Sequence, residues 1–303
     1  MNSIEIRELT KEYGRVRAVD HLTFDVLPGR VTGFLGPNGA GKSTTMRLLL
    51  GLDRITSGTA TIGGQRFTDF SDPLHRVGAL LDAQAAHGER TAREHLRFLA
   101  AGNRIPRSRV DEVLEQAGIA SAAKRRIKTF SLGMRQRLGI AAALLGDPGV
   151  LLLDEPTNGL DPEGIIWIRE LMRALAAEGR TVLVSSHLMS ETAALADHLV
   201  VLGQGKLLAD TSMEEFIDSR STPRVRLRTS DPIRLRAALA RDGFEMADTD
   251  DGRWTVDGIQ AEQIGSMAAR EGIPVLELSD ERASLEQAYL DLTAGHAQFA
   301  ATP

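Results

Sequence analysis

Gly36-Pro37-Asn38-Gly39-Ala40-Gly41-Lys42-Ser43 fits the pattern G-x-x-x-x-G-K-[ST] at every fixed position, and it constrains the fold more tightly than any other stretch of the chain. Such a loop works between a strand and a helix. Val31-Thr32-Gly33-Phe34-Leu35 is a short apolar strand before it, Thr44 to Leu50 carries helix-type residues after it, and Gly51 stops that helix. The glycines let the backbone curl until successive N–H groups face one anion. Lys42 supplies a point charge for β- and γ-phosphates and Ser43 a hydroxyl suited to Mg2+. The helix that begins there adds its positive dipole end.

A second constraint lies far downstream. Leu151-Leu152-Leu153-Asp154-Glu155 places two carboxylates at the end of an apolar run, and Val182-Leu183-Val184-Ser185-Ser186-His187 ends on a histidine. Neither run alternates, which is how strands covered on both faces of a parallel sheet read. In open α/β sheets ligands gather at the carboxyl ends of strands. Asp154 is therefore expected to hold Mg2+, Glu155 to orient and polarise an attacking water, and His187 to reach a γ-phosphate. The other six histidines are left as structural.

The remaining elements support an α/β domain. The first ten residues and Leu22 to Leu27 read as strands, as does Gly58 to Gly64 with its tight turn. The region from Pro73 to Lys128 is predicted to be mostly helical, with Thr91-Ala92-Arg93-Glu94 as a capped helix start. From Ser131 the expected order is helix, strand 150–153, helix 165–178, strand 181–185, helix 191–196 and strand 199–202. Asp218-Ser219-Arg220-Ser221-Thr222-Pro223 reads as a linker. Beyond it the order strand, helix, two strands, helix, strand, helix predicts a small α+β, ferredoxin-like module. The expected domains are 1–218 and 224–295.

Composition removes other classes. The chain has no cysteine, which excludes disulfides, thiolate metal sites and cysteine nucleophiles. A net charge of −5 over 303 residues argues against a dedicated nucleic-acid binder. The N-terminus lacks the basic and apolar regions of a signal peptide. Apolar runs such as Ile140 to Leu145 fall short of the ~20 residues a membrane crossing needs.

Phe130-Ser131-Leu132-Gly133-Met134-Arg135-Gln136 lies about one helix and one strand before the acidic pair. It resembles the ABC signature motif, Leu-Ser-Gly-Gly-Gln in its commonest form, with Ser131 and Gly133 in the Ser and second Gly positions. Read alone, the same residues are an N-cap and a turn glycine. In this order of motifs, residues 2 to 217 resemble an ABC ATPase. The resemblance implies a phosphate-loop NTPase domain with antiparallel β and α-helical subdomains, and ATP with Mg2+ as ligands. It implies Tyr13 stacking on adenine, Gly36 to Thr44 around the phosphates, Asp161 in the D-loop and His187 as the switch histidine. It further implies a homodimer in which each ATP lies between one subunit's phosphate loop and the other's Ser131 and Gly133.

There are departures. Where the family has a loop glutamine that helps bind metal, the aligned position is Asp82, with Gln84 two residues on; Asp82 joins Ser43 and Asp154 as an expected metal contact. Leu132 and Met134 replace the usual Gly and Gln. These variants, and the tail Ser284 to Leu292, resemble the antibiotic-exporter subgroup of daunorubicin-resistance type. That resemblance implies an ATPase at the inner face of the cell membrane, driving export of an antibiotic or other lipophilic compound through a separate integral membrane permease that contacts Asp82 to Leu96. The alternative is a soluble ABC ATPase acting on ribosomes or DNA, but such relatives usually carry two ATPase halves or a long coiled coil. The C-terminal module is open between a structural cap and a ligand sensor.

Overall fold

The computed structural model describes residues 2–218, 223–249, 251–281 and 285–294. Contacts divide the chain into two compact units, Met1–Met213 and Glu214–Pro303. The expected linker falls largely on 219–222, outside the described residues.

The first unit is built on a six-stranded sheet. Its strands are β3 (Val31–Leu35), β5 (Val77–Leu80), β6 (Val150–Asp154), β7 (Thr181–Ser186), β8 (His198–Gly203) and β9 (Lys206–Ser212). They run in the order β5-β6-β7-β3-β8-β9, all parallel except the β8–β9 hairpin. Burial on both faces explains the apolar runs. Along β6, Leu151 and Leu153 belong to one core and Val150 and Leu152 to the other; along β7, Val182 and Val184 face the first and Leu183 the second.

The second of these cores lies under an antiparallel sheet of order β2-β1-β4, made by β1 (Ile4–Tyr13), β2 (Val16–Val26) and β4 (Ser57–Ile62). Ile4, Ile6, Phe24 and Ile62 meet Phe34 and Met46 there, so the phosphate-loop strand and its helix α1 (Lys42–Leu49) are clamped from this side. The first core is helical. It gathers α3 (Ala92–Gly102), α4 (Arg107–Gln116), α5 (Leu132–Leu144) and α6 (Pro162–Ala177) through Leu96, Val113, Leu138 and Ile168. Helix α3 starts on a complete capping box: Thr91 Oγ1 accepts from the Glu94 amide at 3.2 Å, and Glu94 Oε2 from the Thr91 amide at 2.8 Å.

Two strands depart from the expectation. The span 73–128 begins with one helical turn, α2 (Pro73–Arg76), and passes at once into edge strand β5. A five-residue apolar run, Val77 to Leu81, has no period of its own, and parallel pairing with β6 decides it. Strand β9 likewise owes its form to the hairpin with β8. The helix expected over 191–196 is α7 (Met189–Ala193).

The second unit begins with α8 (Met213–Asp218) at the division. It continues β10 (Arg224–Thr229), α9 (Pro232–Arg241), β11 (Met246–Asp248), β12 (Trp254–Asp257), α10 (Ala261–Glu271), β13 (Val275–Glu281) and α11 (Leu285–Ala294). The sheet order β11-β12-β10-β13, antiparallel throughout, is that of a split β-α-β module. Val225 and Leu227 of β10 meet Leu235 and Leu239 of α9 and Ile264 and Met267 of α10 in a core of its own.

Candidate nucleotide and catalytic site

The sheet order brings the carboxyl ends of β6, β7 and β3 side by side, with Asp154 opposite Ser185 and Leu35 opposite Ser186. Each of these strands releases one functional segment: the phosphate loop after β3, the acidic pair at the end of β6 and His187 after β7. The order of the segments in sequence did not require this adjacency; insertion of β7 between β6 and β3 produced it.

The loop is shaped by its glycines. Gly41 has φ 103°, and a Cβ there would lie 2.6 Å from Ala18 O, so both conformation and space demand glycine. It is also the N-cap of α1, where it offers no side chain to the first-turn amides, and no acid lies in that turn. Those amides are therefore open to an anion. Pro37, Asn38, Gly39 and Ser43 are exposed, while Gly36 and Ala40 are buried and Thr44 is half-buried. Lys42 is only 6% exposed, and its Nζ donates to Gly36 O at 2.6 Å and Pro37 O at 3.2 Å. Burial draws its pKa below the ordinary lysine value, while negative Glu155 and Asp154 pull the other way. The ammonium and both carboxylates thus share one electrostatic neighbourhood.

Glu155 is held more tightly than its sequence suggested. Its φ is 49°, a left-handed conformation that costs a non-glycine residue about 1–3 kcal/mol unless its surroundings impose it. Its amide donates to Ser185 Oγ at 3.0 Å, and its carbonyl accepts from Gln136 Nε2 at 3.0 Å and from the Asn158 amide at 3.2 Å. The Ser185 hydroxyl in turn donates to Asp154 Oδ1. One Asp154 oxygen is thereby engaged by the protein. The Glu155 carboxylate meets His187, with Nδ1 to Oε2 at 2.8 Å.

Lys42, Asp154, Glu155 and His187 therefore form one cluster. Ser131 and Gly133 stand at the start of α5, where Gly133 meets the loop Asn158 to Asp161. Ser131 is exposed and caps α5 by accepting from the Met134 amide at 3.2 Å. A Cβ on Gly133 would stand 2.7 Å from Gly159 O, so only glycine permits this approach. Asp161 caps α6 through the Gly164 amide at 3.0 Å. Tyr13, 47% exposed, donates its hydroxyl to Asp53 at 3.1 Å and lies under the Lys11 ammonium, 4.6 Å from the ring centroid. Asp82, just past the end of β5, is exposed, and its Oδ1 accepts from the Gln84 amide at 2.7 Å, closing a local turn.

The donor set suits Mg2+ better than a cation that needs an all-protein cage. Ser43 and Asp154 are a hydroxyl and a carboxylate, and among the described residues no group of three or more His, Cys, Asp or Glu could hold a metal. Mg2+ ordinarily takes one or two carboxylates and completes its shell with phosphates and water.

Sequence reasoning passed over Gln136 and Ser185. The available signals were a glutamine among the apolar positions of α5, and hydroxyls ending an otherwise apolar strand.

Known proteins resemble the chain over most of its length. A family model described as ABC transporter matches residues 19–158, and a domain of unknown function matches residues 223–286. A bacitracin transport ATP-binding protein of Bacillus licheniformis is 38% identical, with 96% of this chain and 97% of that protein covered. Among solved structures, an ATP-binding subunit of an ABC transporter superposes with a TM-score of 0.66 at 27% identity, over 71% of this chain and 92% of that one. A dimeric bacterial ABC transporter cassette superposes with a TM-score of 0.63 at 25% identity, over 69% of this chain and 98% of that one.

Proposed function

The chain belongs to the ATP-binding proteins of ABC transporters, and from that membership we propose that it is the ATP-hydrolysing subunit of an exporter whose membrane-spanning permease is a separate protein. The observation that carries the reading is the convergence of Lys42, Asp154, Glu155 and His187 where β3, β6 and β7 end together.

The roles follow from position. The loop amides from Gly36 to Thr44 and the Lys42 ammonium bind the phosphates. Ser43 and Asp154 would hold Mg2+, with Asp82 as the remaining candidate at the end of β5; the ion would neutralise charge on the outer phosphates. Glu155 orients water for attack on the γ-phosphate. His187 engages Glu155 through Nδ1, leaving Nε2 as the nitrogen for a γ-phosphate oxygen. Tyr13 stacks on the adenine. Exposed Ser131, with Gly133 beside it, serves the nucleotide of a second copy of the chain, as the dimeric cassette among the structural relatives suggests.

No described helix is long and apolar enough to cross a membrane. We place the subunit on the inner face of the cell membrane, with the permease against the segment from Asp82 to Leu96. The exported compound is proposed to be an antibiotic, because a relative that matches over nearly its whole length is a bacitracin transport ATP-binding protein.

Glu155→Gln tests the core of this reading. It keeps the shape of the side chain and removes its basicity, so ATP binding and dimerisation persist while turnover falls by about a hundredfold or more. The measurements are steady-state phosphate release and ATP-dependent dimerisation by light scattering. Wild-type turnover in this variant removes Glu155 from the chemistry. Sedimentation of the protein with ribosomes, and not with a permease, overturns the transport reading.

A further inference from the structure

We propose that Gln136 is a positioning residue for Glu155, and that through it helix α5 carries the orientation of the catalytic carboxylate and the signature serine on one rigid element. This rests on the reading of Glu155 as the residue that orients water.

Three observations carry it. Gln136 is buried, 4% exposed, on a helix whose other buried residues are almost all apolar, so its amide stands in a setting where an unmet polar group is costly. Its Nε2 meets Glu155 O at 3.0 Å, the carbonyl of the residue whose φ of 49° departs from ordinary strand geometry. The Glu155 amide is fixed from the opposite side by Ser185 Oγ at 3.0 Å, and Ser185 is committed to Asp154. The left-handed residue is thus clamped at both of its peptide groups, by β7 through the nitrogen and through the oxygen by α5 together with the Asn158 amide of the following turn. Without the α5 clamp only the local Asn158 amide, at 3.2 Å, still holds the Glu155 carbonyl, and this turn bond moves with the peptide, so the residue can shift toward the extended conformation that follows from β6 and turn its carboxylate away from His187.

The same helix begins at Ser131, exposed at its N-cap, and Gly133 holds its first turn against Gly159. A displacement of α5 at its signature end therefore moves Gln136, and with it the carboxylate of the same chain. In a dimer, contact of Ser131 with the opposite nucleotide then sets the geometry of this chain's own water-orienting group.

Gln136→Met tests the proposal in the full-length protein, since it keeps length and volume and deletes the donor. Positioning predicts that kcat falls by about tenfold to a hundredfold while KM for ATP stays within about twofold. Gln136→Glu, which places an acceptor against the Glu155 carbonyl, carries the same expectation and serves if the methionine variant does not fold. In the Glu155→Gln background, Gln136→Met should not lower the single-turnover rate further, because the group it positions has already lost its function. An unchanged kcat, a loss that appears in KM, or a full multiplicative loss in the Glu155→Gln background each overturns it. Absence of ATPase activity in the wild type, or wild-type turnover by Glu155→Gln, defeats instead the reading on which it rests.

Discussion

Lys42 shows how a single residue trades stability for function. Its ammonium is nearly enclosed, and burial draws its pKa below the ordinary lysine value, so the folded state disfavours the charge that the phosphates require. Lys42→Met should leave the nucleotide-free protein at least as stable as wild type by thermal unfolding, and should abolish the stabilisation by ATP, which at a hundredfold excess over Kd is about 2.7 kcal/mol for wild type. The sign of the pH dependence follows. A base with a lowered folded pKa binds fewer protons in the folded state, so the cost is fully present below that pKa and is relieved as pH rises through it toward the unfolded value. The wild type should therefore gain on Lys42→Met as pH climbs into the alkaline range. A gap that widens in favour of the variant contradicts the assignment.

Among the elements, α3 and α5 have distinct tasks. Helix α3 begins inside the segment proposed to meet the permease, and its start is fixed by the reciprocal Thr91 and Glu94 bonds. The Thr91 contact also holds the Glu94 carboxyl below its usual range. Thr91→Ala should cost about 1 kcal/mol in chemical denaturation and leave the ATPase of the isolated subunit unaltered, because the cap lies outside the catalytic cluster. A loss of turnover in the isolated subunit would show that the helical region reaches the site. Helix α5 combines a polar start, a buried Gln136 and an apolar remainder, which ties its first turn to Glu155 while Leu138, Ile140 and Ala141 anchor it in the helical core.

On the scale of the whole molecule, the described residues of the two units form separate cores: two clusters in the first, divided by the six-stranded sheet, and one in the second around Val225, Leu235 and Ile264. Separate cores predict separate unfolding transitions. Calorimetry should resolve two of them, with ATP raising the transition of the first unit alone. A single transition that shifts as one body would show that the units are energetically fused.

The sequence by itself determined the local chemistry: a glycine pattern suited to a phosphate loop between a strand and a helix, carboxylates ending an apolar strand, a capping box, and a strand and helix order that yields the β-α-β-β-α-β module. These were legible because each depends on residues close together in the chain, where spacing alone fixes geometry. Tertiary structure decided the rest. Strands β5 and β9 exist through pairing with β6 and β8 rather than through any period of their own. The left-handed Glu155 and its clamp by Gln136 and Ser185 come from elements that meet only in the fold, since a hydrogen bond between distant segments leaves no spacing in the sequence to read.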